Sequence, residues 1–125
     1  MAALILVIDD ERDMRTYLST LFKQAGYRVE TACNGLEGVD MARRLEPDLI
    51  TLDLLMPRQS GVRAYRDLRS AAQTASIPVV VLSGLTRQED FFGESASELP
   101  PPEAIVEKPI ERESFLQTIR RVLEG

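Results

Sequence analysis

Leu49-Ile50-Thr51-Leu52 reads as a short strand without a polar face, and Asp53 follows it with a carboxylate. Runs of this kind fit strands covered on both sides, as in a parallel sheet. The same reading extends outward to residues 4–8, 79–82 and 104–106. Residues 27–31 (Tyr-Arg-Val-Glu-Thr) alternate instead, which suits a strand nearer an edge.

Between these runs the period changes to that of a helix. Met14, Leu18, Leu21, Phe22 and Ala25 share one helical face, and Gly26 makes a suitable stop. Leu36, Val39, Ala42 and Leu45 repeat the pattern up to Pro47. Val62, Tyr65, Leu68 and Ala72 form a third stripe, and Phe115, Leu116, Ile119, Val122 and Leu123 the last. Each stripe reads as core, not as a cofactor site. Five strands alternating with five helices predict an open α/β fold: a doubly wound, five-stranded parallel sheet with helices on both faces. The fourth helix is expected to be short or irregular. Thr86-Arg87-Gln88-Glu89 opens it as a capping box, but Gly93 and then Pro100-Pro101-Pro102 follow, and prolines cannot continue a helix.

A chain of 125 residues fits one domain, and a hydrophobic content of 44% is enough for a core. The net charge of -5 argues against a protein that works by neutralising nucleic-acid phosphates. There is no histidine, which removes the usual general base and zinc ligand. Cys33 is the only cysteine, so an internal disulfide is ruled out; it reads as a small, partly buried side chain. A lone thiol suits a reducing compartment. No apolar run approaches the roughly 20 residues that span a bilayer. A cytoplasmic protein without a membrane partner is the expectation.

In an open α/β sheet, ligands bind beyond the carboxyl ends of the strands. The polar residues that directly follow the apolar runs therefore matter most. They are Asp9 and Asp10 after the first, Asp53 after the third, Ser83 after the fourth and Lys108 just past the fifth. Singly, each has an ordinary explanation: Asp10 as a helix N-cap, Ser83 as a turn residue, Lys108 as a solvated charge. No packing rule, however, puts three carboxylates side by side. Crowded carboxylates repel one another unless a cation is present, and a hard ion held by few protein oxygens points to Mg2+. Mg2+ with a lysine is the equipment for neutralising a phosphoryl group, and the Ser83 hydroxyl can bond a further phosphoryl oxygen. Aspartyl phosphates are an established covalent chemistry that needs no general base, and Asp53 is the best-placed nucleophile because it stands alone at the end of a central strand, opposite both the acidic pair and Lys108.

These residues, in this order, resemble the receiver domain of two-component response regulators. The matching text is Leu6-Val7-Ile8-Asp9-Asp10-Glu11, the stretch from Pro47-Asp48 through Asp53-Leu54-Leu55-Met56-Pro57, Gly61, Pro78 through Ser83-Gly84, and Lys108-Pro109-Ile110. The resemblance covers essentially the whole chain and implies one receiver domain over residues 1–125 with strand order 2-1-3-4-5. It implies Asp53 as phosphoacceptor, with a histidine kinase or histidine phosphotransfer protein as donor. Mg2+ would be held by Asp10, Asp53 and the Leu55 backbone carbonyl, with Asp9 acting mainly through water. Ser83 would follow the phosphoryl group, Lys108 would pair with it, and the Lys108-Pro109 bond would be cis. Such a domain catalyses only its own phosphorylation and dephosphorylation. It switches a downstream effector protein or an output domain outside these residues, does not itself bind nucleic acid, and leaves a homodimer open.

Two departures stand out. Ile105 occupies the place where the family usually carries an aromatic residue, and residues 91–103 do not match the family's regular fourth helix. They keep alive a receiver-fold interaction module no longer switched by phosphorylation. A Mg2+-dependent phosphohydrolase is the other rival, but it commonly needs a second aspartate where Leu55 stands.

Overall fold

A computed structural model describes residues 2–57, 60–84 and 100–125. The elements run β1 (Leu4–Ile8), α1 (Arg12–Gln24), β2 (Arg28–Ala32), α2 (Gly35–Leu45), β3 (Leu49–Asp53), α3 (Ser60–Ser70), β4 (Val79–Ser83), β5 (Ala104–Glu107) and a last described helix, α4 (Arg112–Glu124). The strands form one parallel sheet in the order β2-β1-β3-β4-β5. This is the expected doubly wound order.

Side chains alternate across a pleated strand, and here both sides are apolar. Leu6, Ile8, Ile50, Leu52, Val79 and Val81 pack on one face against Val39 and Ala42 of α2 and Ala64, Tyr65 and Leu68 of α3. Ile5, Val7, Leu49, Val80 and Leu82 pack on the other against Leu18, Leu21 and Phe22 of α1 and Phe115 and Ile119 of α4. The central strands β3 and β4 are buried throughout, which is why their sequences carry no polar face.

The helix ends follow local chemistry. Gly26, at φ 98°, terminates α1. Its N–H reaches the Lys23 carbonyl, and the next N–H, from Tyr27, reaches that of Phe22. The Phe22 and Tyr27 rings close this turn edge to face, 6.3 Å apart. Asn34 caps α2 by accepting from the Glu37 N–H at 2.8 Å.

Several expectations change. β2 lies one residue later than the alternating run suggested. Leu36 is 84% exposed, and Leu45 also lies at the surface. The buried stripe of α2 is instead Gly35, Gly38, Val39 and Ala42. Glycines fill core positions there because a Cβ on Gly38 would sit 2.5 Å from the Ile8 side chain, and one on Gly35 2.5 Å from the Ser60 carbonyl. Ala25 is exposed, and Ala72 is exposed beyond the end of α3. Cys33 is exposed and not partly buried, because it precedes the α2 cap on the surface. The cap position of α1 is Glu11, not Asp10. The expected capping box at 86–89 and the fourth helix lie outside the described residues. Among the described residues no helix is long and apolar enough to cross a membrane.

Candidate functional site

Parallel strands bring their carboxyl ends to one edge. The chain turns outward from β1 in one direction to β2 and in the other to β3, so a crevice opens between β1 and β3. Asp9 and Asp10 follow β1, Asp53 ends β3, Ser83 ends β4 and Lys108 follows β5. Carboxylate oxygens of Asp9, Asp10 and Asp53 lie within 4.8 Å of one another. Asp10 is exposed, whereas Asp9, Asp53 and Ser83 are buried.

Asp53 is held by both oxygens. Its Oδ1 accepts from the Leu55 N–H at 3.0 Å, and its Oδ2 accepts from Lys108 Nζ at 3.2 Å. The Lys108 N–H donates to the Ser83 carbonyl at 2.9 Å, which ties the start of its loop to the end of β4. The Lys108–Pro109 peptide is cis, as the resemblance implies. Beneath this loop α3 packs very closely. A Cβ on Gly61 would lie 2.4 Å from the Asp53 carbonyl oxygen and 2.7 Å from Leu54 Cα, so only glycine fits.

Asp9 is held by one oxygen only. Oδ1 accepts from the Glu11 N–H at 2.9 Å, while Oδ2 is buried without a partner. Burial pushes the Asp9 carboxyl up from 3.8 to about 6. The Glu11 N–H and Lys108 work against that rise, and the charges of Asp53 and Asp10 add to it.

Two neighbours escaped the sequence reading. Arg15 Nη1 donates to the Asp9 carbonyl at 2.9 Å; the available signal was a cation one turn into the helix that follows the acidic pair. The buried Thr51 hydroxyl, two residues before Asp53, has no partner and had no signal. Ile105 is half-buried and packs against the core face shared with α2 and α3.

A doubly wound parallel sheet with an acidic cluster and a lysine at its carboxyl edge is the architecture of a receiver-type signalling domain. Residues 5–120 match the response regulator receiver domain, and the chain belongs to that family, the receivers of two-component systems. It is 32% identical over 124 residues to Protein PilH of Pseudomonas aeruginosa, covering 98% of this chain and 99% of that protein. The chemotaxis protein CheY4 of Vibrio cholerae superposes with a TM-score of 0.86 at 29% identity, covering 98% of this chain and 99% of that one. The receiver domain of a sensor histidine kinase from Pseudomonas aeruginosa superposes with a TM-score of 0.86 at 23% identity, with all of both chains covered. That structure has a magnesium ion coordinated in its active-site cleft.

Proposed function

We propose that residues 1–125 act as one phosphoacceptor receiver domain in which Asp53 takes a phosphoryl group from a phosphohistidine donor. The observation that carries this reading is the setting of Asp53: buried, with Lys108 on one oxygen and two further carboxylates beside it. A histidine kinase or a histidine phosphotransfer protein is the donor. The product switches contacts with a downstream effector or an output domain.

The residues suit Mg2+. Asp9 Oδ2 is a buried oxygen with no partner, and the cluster offers hard oxygens only. Asp10, Asp53 and the Leu55 backbone carbonyl would hold the ion directly and Asp9 mainly through water, the donor set that the family resemblance implies. Once bound, the ion offsets charge on the phosphoryl oxygens during transfer.

The chain's own groups do the rest. The Leu55 N–H orients the Asp53 carboxylate through Oδ1. An Asp53 oxygen forms the new bond to phosphorus while the bond from phosphorus to the donor imidazole breaks, its electron pair leaving with the imidazole. Lys108 then transfers its ammonium from Asp53 to the phosphoryl oxygens, whose added charge is about -1.5 to -2. Ser83, at the end of β4, donates its hydroxyl to another phosphoryl oxygen. No external substrate is consumed beyond the donor and the water that later hydrolyses the acyl phosphate. Leu55 stands where a phosphohydrolase would need its second aspartate, which favours a switch over an enzyme.

Incubation with acetyl phosphate and Mg2+, followed by intact mass, tests the reading. Wild-type protein gains one phosphoryl group, and Asp53→Asn gains none. A wild-type chain that stays unmodified supports the interaction module instead.

A further inference from the structure

The corner between β1 and α1 is held by an arginine that neither the sheet nor the helix requires. Arg15 stands one turn inside α1, and its Nη1 donates to the Asp9 carbonyl at 2.9 Å. A cation near a helix N-terminus is disfavoured by the macrodipole, so this bond offsets an unfavourable position. Long helical side chains lean back toward the N-terminus, which gives Arg15 its reach. Glu11, the cap residue, makes no side-chain capping bond. Its N–H instead goes to Asp9 Oδ1 at 2.9 Å. Asp9 is thus held at its N–H by the Ala32 carbonyl at 3.1 Å, and on the α1 side at its main-chain carbonyl by Arg15 and at one carboxylate oxygen by the Glu11 N–H. The other oxygen stays buried and unpartnered within the acidic cluster.

Three carboxylates so placed repel one another, and a loose corner would let them turn apart. Building on the reading of the site as a Mg2+ centre, we propose that Arg15 is a positioning residue for that centre. By holding the Asp9 peptide, it keeps the acidic cluster assembled before a cation arrives. It acts through the main chain of Asp9 and touches no reacting atom.

The sign of the effect separates this role from a purely electrostatic one. Removing a positive charge beside an acidic site should, on charge alone, tighten cation binding. Loss of a group that orients a ligand weakens it, by about tenfold at the low end for such supporting contacts.

The experiment compares Arg15→Gln with Arg12→Gln, which removes an exposed cation from the first turn of the same helix. Proton–nitrogen NMR spectra of the metal-free proteins report the Glu11 amide, and titration with MgCl2 gives the affinity. In Arg15→Gln the Glu11 amide should lose its hydrogen-bonded shift while the sheet amides stay in place. Its Mg2+ affinity should fall about tenfold. Arg12→Gln should leave both unchanged or bind Mg2+ slightly tighter. An unmoved Glu11 amide, an unchanged or tighter Mg2+ affinity in Arg15→Gln, or equal weakening in Arg12→Gln would overturn the proposal. Wild-type protein that binds no Mg2+ would instead overturn the reading of the site, and the Glu11 amide would then decide the grip on Asp9 by itself.

Discussion

Asp9 is a buried carboxylate under electrostatic tension. Its carboxyl sits at about 6 and not 3.8, first because it is buried and then because Asp53 and Asp10 stand close. A carboxyl whose folded value lies above its unfolded value weakens the fold as it ionises. Below pH 3.8 the group is neutral in both states and imposes no penalty. The penalty grows between 3.8 and 6, because the unfolded chain ionises first, and is constant above that range. The gap between 3.8 and about 6 corresponds to at most about 3 kcal/mol, and screening by solvent at the open side of the cluster lowers it. Asp9→Asn keeps an acceptor for the Glu11 N–H and replaces the unpartnered oxygen with a donor facing carboxylates within 4.8 Å. In metal-free buffer at pH 7.5 the variant should therefore be more stable than wild type, by up to about 3 kcal/mol. The gain should shrink through pH 6 and vanish near pH 4. Urea unfolding across that pH range measures it, and a destabilised or pH-independent variant would show that Asp9 is not under this strain.

At the scale of the element, α3 decides how the Asp53 loop is supported. Glycine in a helix normally weakens it by roughly 1 kcal/mol relative to alanine. On propensity alone, then, Gly61→Ala should stabilise. The Cβ would however meet the Asp53 carbonyl at 2.4 Å and the Leu54 carbonyl at 2.8 Å, and these are backbone atoms that cannot swing aside. Overpacking of this kind destabilises by about 1–3 kcal/mol. Gly84→Ala is the matched control, since among the described residues its Cβ meets only the flexible end of Leu55 at 3.4 Å. Urea midpoints should fall for Gly61→Ala and hold for Gly84→Ala, and equal midpoints would refute the contact. The same element shows what sequence reveals. Tyr65 and Leu68 on α3 announce their core face by helical spacing. Gly61 carries no hydropathy at all and was legible only through the family resemblance. The α2 stripe was legible only in part for that reason: Val39 and Ala42 are buried as expected, but Gly35 and Gly38 complete the face in place of Leu36 and Leu45. β1, β3 and β4 were legible because strands buried on both sides show a nearly continuous apolar run with no polar face.

For the molecule as a whole, the placement of Asp9, Asp53, Ser83 and Lys108 at one edge of the sheet was readable because parallel strands deliver their carboxyl ends to that edge. Links that obey no period were not readable, and among the described residues Arg69 makes one of them. Its guanidinium, 2% exposed, ends α3 by donating to the Tyr65 hydroxyl at 3.2 Å and to the Ala75 and Ile77 carbonyls at 3.1 and 2.8 Å. It also meets Glu103 Oε1 at 2.7 Å, the same oxygen that accepts the Val79 N–H at 2.7 Å. The Tyr65 hydroxyl in turn donates to the Pro100 carbonyl. One planar cation therefore ties α3, the start of β4 and the chain leading into β5, joining residues 34 positions apart. Breaking a buried ion pair from one side costs about 3–5 kcal/mol. Glu103 is 41% exposed and can turn to water, which brings the expected loss for Arg69→Ala down to about 2–3 kcal/mol. Arg69→Lys keeps the charge but offers a compact ammonium where four spread acceptors need a fork. It should recover less than half of the loss. Urea unfolding at unchanged slope reads both variants. If Arg69→Lys matches wild type, charge alone holds this junction and the fork geometry is irrelevant to it. If Arg69→Ala changes stability by less than about 0.5 kcal/mol, as an ordinary surface substitution would, the strands entering the site are held by the sheet and not by α3.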